Sequence, residues 1–215
     1  MPNRLRQMLT SLLVPLGFVA AGSQAPLPIS GFGQTLDQAK ETGFFKWFML
    51  EQTAETLKNG GKFTIFQPNG PRFHDVTHVN ITVDSQGRIL TAELVLARRF
   101  VDSPNDGIFA RDITKSFLQI GINPDDMGVI EGLVTEINQL KGSTAPVIVH
   151  RDAVPPVAAG PASAGYLVYL GQRNNFQLKL PHGQVLTITN RQSATPYAGQ
   201  SLGEKELSIQ YGARP

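Results

Sequence analysis

Two segments of this chain, residues 76–83 and 89–96, alternate apolar and polar side chains on either side of Asp84-Ser85-Gln86-Gly87-Arg88. A period of two with one apolar set is the pattern of an antiparallel pair that buries one face, because successive side chains of a strand point to opposite faces. A two-residue Gln86-Gly87 turn closed by Ser85 and Arg88 sets Val83 opposite Leu90, Ile81 opposite Ala92 and Val79 opposite Leu94. A slip of one residue would set Val79 opposite Glu93 and spoil the core, so the first register is expected. The opposite face then carries His78, Asn80, Thr82, Thr91 and Glu93. Asn80 lies across from Glu93, and His78 is its diagonal neighbour, roughly 7–8 Å away at the backbone. His78, Asn80 and Glu93 are therefore the candidate acid/base cluster, with a solvated sheet face as the plainer reading.

The remaining segments arrange helices around that pair. Helical character is expected over residues 35–58, ended by Asn59-Gly60-Gly61. Its centre is the most aromatic stretch of the chain, residues 44–50. At 100° per residue, Phe44, Trp47, Phe48, Leu50, Ala54 and Leu57 share a face that also holds Glu51, while Phe45 and Met49 lie on another side. A short strand is expected at residues 63–66. Ser103 and Asn123 each precede a proline and acids, the composition that open backbone N–H groups favour at a helix start. The first of these helices should bury Phe109, Ile113, Phe117 and Ile120, and the second Met127, Ile130, Leu133, Val134 and Ile137.

Residues 142–165 form a Pro/Ala-rich linker or loop, with a short strand suggested at 147–150. Strands are then expected at 166–170, 176–180, 185–189 and 207–211. Pro181-His182-Gly183 fits a three-residue hairpin that sets Leu178 opposite Leu186 and Phe176 opposite Ile188. The order of elements gives an α+β fold, an antiparallel sheet with helices packed mainly on one face and the strand-rich C-terminal part docked on it. The expected division is an export segment (1–21), a flexible lead (22–34), the α+β core (35–141), the linker (142–165) and the β-rich part (166–215).

The export segment rests on Arg4 and Arg6, an uncharged run over residues 8–21, and Val19 and Ala21 at the two small-residue positions before a cut. A run of about 14 residues is short of the ~20 that a spanning helix needs, and Pro15 and Gly17 weaken a soluble helix. The expected location is periplasmic or secreted. Lys and Arg number 19 against 17 Asp and Glu, but Arg4 and Arg6 leave with the segment. The mature chain is then formally neutral, which argues against nucleic acid as a partner. The chain has no cysteine, which excludes a disulfide framework, a thiol nucleophile and any thiolate metal site.

Other motifs fail on chemistry. His74 and His78 are four apart, which faces one metal on a helix but separates them by about 13 Å along a strand, so no metal is expected. Gly199-Gln200-Ser201-Leu202-Gly203 matches a nucleophile pattern by letter, yet no histidine follows Ser201. Asn59-Gly60-Gly61-Lys62 has the wrong element order for a phosphate cradle and reads as a helix terminator. No cofactor is expected.

The leading expectation is an exported, non-catalytic protein that binds a protein or cell-envelope component, with Phe45, Trp47, Phe48 and Met49 as candidate contacts. One alternative is a hydrolase or other acid/base enzyme using the His78/Glu93 face. Another is a peripheral lipid-binding protein using residues 44–50; membrane contact is admitted but not favoured.

Overall fold

The structure, a computed structural model, describes residues 35–58, 60–139, 161–193 and 204–213. The expected export segment, the lead, the strand at 147–150 and the Gly199–Gly203 motif lie outside the described residues. Two short helices, α1 (Leu36–Lys40) and α2 (Gly43–Trp47), lead into β1 (Leu50–Lys58) and β2 (Gly61–Pro68). A single turn, α3 (Pro71–His74), precedes β3 (Thr77–Val83) and β4 (Ile89–Ala97). Next come α4 (Arg98–Val101), α5 (Gly107–Gly121), a 3-10 turn at Pro124–Asp126, α6 (Met127–Gln139) and α7 (Pro161–Tyr169). The chain returns through β5 (Asn175–Lys179), β6 (Gln184–Gln192) and β7 (Lys205–Ala213).

All seven strands join one antiparallel sheet in the order β1-β2-β3-β4-β7-β6-β5. The α+β class is therefore as expected, and the C-terminal strands continue the sheet through β7 beside β4. One face is apolar: Val79, Ile81, Val83, Ala92, Leu94, Leu96, Leu207, Ile209, Tyr211, Leu186 and Ile188 are all buried. The helices cover this face. Phe117 of α5 packs on Tyr211 at 5.9 Å between ring centroids, and the Tyr211 hydroxyl donates to the Leu118 carbonyl at 2.8 Å. Gly165 of α7 lies against Leu133 and Phe176, close enough that a Cβ there would sit 3.3 Å from both. Arg98 ties helices to sheet: it donates to the Tyr169 carbonyl at 2.6 Å and pairs with Asp102.

The β3–β4 register agrees with expectation in its middle, Val79 opposite Leu94, Asn80 opposite Glu93 and Ile81 opposite Ala92, and departs from it at the turn. Asp84 and Arg88, rather than Ser85 and Arg88, close the loop. Asp84 N–H donates to the Arg88 carbonyl, and Gly87 N–H donates to the Asp84 carbonyl, each at 3.0 Å. Gly87 takes φ +78°, the left-handed position of a three-residue loop. Its extra residue is absorbed by a bulge, so Val83 faces Ile89, which is fully buried, and Leu90 is displaced to the other face. The second hairpin is as expected: Leu178 faces Leu186 and Phe176 faces Ile188, with Gly183 N–H donating to the Leu180 carbonyl at 3.1 Å.

Two elements correct the sequence reading. Residues 50–58 are strand β1, not the second half of a helix. Met49, at φ +47°, turns the chain out of α2, and Gly60, at φ +79°, lies between β1 and β2. Helix propensity is a weak local preference; here the free edge of β2 supplies a ladder of hydrogen bonds that outweighs it. Glu51 is accordingly an exposed edge residue that accepts from Asn69 Nδ2 at 2.5 Å, not a carboxylate amid aromatic rings. Residues 166–169 belong to helix α7, not to a strand. Gly165, Val168 and Tyr169 are buried at helical spacing, which the aromatic and β-branched run conceals.

Candidate binding face of the sheet

The face of the sheet opposite the helices carries half-buried polar side chains in cross-strand rows. One row runs Ile65, Asn80, Glu93, Gln210 and Thr187 across β2, β3, β4, β7 and β6. The next runs Phe63, Thr82, Thr91 and Gly212. Strand alternation alone fixes which residues share this face. The bulge adds Leu90 to it, and together Phe63, Asn80, Thr82, Leu90, Thr91, Glu93 and Gln210 line an open trough of about 670 Å³.

Glu93 is the centre of a satisfied network. One carboxylate oxygen accepts from Asn80 Nδ2 at 3.0 Å; the other accepts from Ser208 Oγ at 2.6 Å and Arg191 Nη1 at 2.9 Å. Arg191 also pairs through Nε with Glu206 at 2.5 Å, so one guanidinium bridges two acids of which Glu206 is buried. A carboxylate held by three donors, one of them cationic, serves as an acceptor in a fixed geometry. Accepting a proton from a substrate would require breaking that network, which counts against Glu93 as a general base.

His78 lies opposite Val95, diagonal to Glu93 as expected. Burial pushes its pKa below the usual histidine value. His74, by contrast, ends α3 rather than continuing a strand, and its Nδ1 lies 3.0 Å from Asp75 Oδ1. Among the described residues, no group of three or more His, Cys, Asp or Glu is placed to hold a metal ion.

The aromatic candidates divide. Phe45 is buried, edge-on to Phe66 at 5.0 Å, and Phe48 is half-buried, edge-on to Phe109 at 5.5 Å. Both rings therefore pack with the core. Trp47 and Met49 are 78% and 61% exposed. With β1 a strand, the apolar helical face expected from Phe44 to Leu57 does not exist. Among the described residues, no helix is long and apolar enough to cross a membrane.

Ser208, Arg191, Glu206 and Gln210 were not among the residues singled out from sequence. Alternation in β7 does place Glu206, Ser208 and Gln210 opposite Leu207, Ile209 and Tyr211, but nothing local says that β7 lies beside β4. A second acid–histidine pair was also missed. Asp126, buried at the start of α6, accepts from the His182 backbone N–H at 3.3 Å and lies 2.8 Å from His182 Nδ1. It pins the β5–β6 hairpin to the helical layer, and its hydrogen bond and charge raise the His182 pKa.

No family model, no curated protein sequence and no solved structure matches the chain.

Proposed function

We propose that this is an exported, non-catalytic binding protein whose partner, a cell-envelope component or envelope protein, docks on the open face of the sheet. One observation carries the reading: the sheet face that gathers His78, Asn80 and Glu93 has its central carboxylate fully occupied by Asn80, Ser208 and Arg191, while the trough beside it is open. Such a surface is fixed in shape and charge before a partner arrives, which lowers the ordering cost of binding. The acid/base alternative loses support because the Glu93 carboxylate is already held by Asn80, Ser208 and Arg191.

The exposure of Trp47 and Met49 favours a second reading, contact with lipid. Co-sedimentation of the full chain with bacterial envelope fragments separates the two. Thr82→Arg, which fills the trough with a charge, is expected to abolish binding while the circular dichroism spectrum is kept. Trp47→Ala is expected to leave binding intact. The reverse pattern, loss with Trp47→Ala and retention with Thr82→Arg, would move the site to the lipid-facing aromatic segment.

A further inference from the structure

We infer that the trough takes a neutral carbohydrate chain, an inference that rests on the proposed docking face and names the chemistry of its occupant. The argument starts from charge. The trough holds two carboxylates, and both are paired within the protein: Glu93 with Arg191, and Asp84 at the rim with Arg88 at 2.6 Å. Among the described residues no Lys or Arg lines it, so a phosphate or sulfate would meet no cationic donor among them. A cationic ligand would have to displace Arg191 or Arg88 from its acid. The electrostatically complementary ligand is uncharged.

Hydrogen-bonding capacity narrows it further. Thr82, Thr91 and Gln210 make no side-chain hydrogen bond to another described residue. The amide of Gln210 and the two hydroxyls each both donate and accept. A ligand matched to such groups carries many groups that also do both, which describes a polyol. An extended peptide is matched less well, because the backbones of β2, β3, β4 and β7 are already paired on both sides and offer no free edge for strand addition.

Geometry and the apolar residues complete the match. Adjacent strands place Thr82 and Thr91 about 4.8 Å apart, and successive rows are about 6.7 Å apart along a strand, a grid on the scale of one pyranose residue. Phe63 and Leu90 present the apolar surface on which the C–H face of a sugar ring packs. A lipid chain would need a lining more apolar than these two side chains.

The test is binding of the purified full chain to immobilised neutral hexasaccharides, built of hexose and of N-acetylhexosamine, with a sulfated polysaccharide as the charged comparison. Expected is binding to a neutral member that Gln210→Ala and Thr91→Ala each weaken at least tenfold, with the urea midpoint of each variant within the scatter of wild type. Binding unchanged by both variants, or preference for the sulfated polymer, overturns the inference. If no hexasaccharide binds while envelope fragments still bind wild type and not Thr82→Arg, the carbohydrate inference falls and the docking face stands. If envelope fragments fail to bind as well, both fall.

Discussion

Tyr211→Phe removes one oxygen from the centre of the molecule and nothing else. Tyr211 is fully buried in β7, and its hydroxyl donates to the Leu118 carbonyl at 2.8 Å. That carbonyl is among the last four of α5, which ends at Gly121, and those carbonyls lack the usual partner one turn ahead. The ring stays in place against Phe117, so no cavity opens. The cost is then the net hydrogen bond, about 0.5–1.5 kcal/mol, or the larger penalty of about 1–3 kcal/mol for a buried carbonyl left without a donor. We expect about 2 kcal/mol, which for a chain of this size lowers Tm by about 4–8 °C. Urea titration should show a lower midpoint at unchanged slope, since the surface exposed on unfolding is the same. A loss below about 0.5 kcal/mol would mean that water reaches Leu118 and would refute the claim that α5 is sealed against the sheet.

The bulge and the hairpin pin give the remaining expectations. Ile81→Ala should cost about 2–5 kcal/mol, because Ile81 is fully buried; Leu90→Ala should cost far less, and equal losses at the two positions in urea titration would contradict the bulge that separates them. For His182, Asp126 raises the folded pKa. Its contribution is therefore complete below the unfolded pKa of about 6.5 and fades as pH rises through the higher folded value. The gap in urea midpoint between wild type and His182→Gln should shrink from about pH 5.5 to about pH 8.5; a constant or widening gap would show that the pair is not a charge contact.

Much of the candidate face was legible because strand alternation is local. The pairing of Asn80 with Glu93 and the diagonal place of His78 followed from the apolar positions of two consecutive strands, whose loop keeps them adjacent. Leu90 was misplaced by a single loop residue, since two- and three-residue turns both suit Asp84-Ser85-Gln86-Gly87-Arg88 and differ in which residue the bulge expels. Ser208 and Arg191 were invisible for a different reason. They reach Glu93 across 115 and roughly 100 residues of chain, and no local pattern encodes which strand edge β7 selects.

The sequence by itself determined the parts whose physics is short-ranged: the alternating strands, the Pro181-His182-Gly183 turn, the Asn123 cap of the turn that leads into α6, and with them the α+β class. Tertiary structure alone decided the state of residues 50–58 and 166–169. The first has the composition of a helix and lies exposed as an edge strand because β2 offered unpaired backbone groups. The second has the composition of a strand and is a helix because Gly165, Val168 and Tyr169 face the core at helical spacing. In both, a local preference worth tenths of a kcal/mol per residue yielded to hydrogen bonds and burial that exist only once distant segments have met.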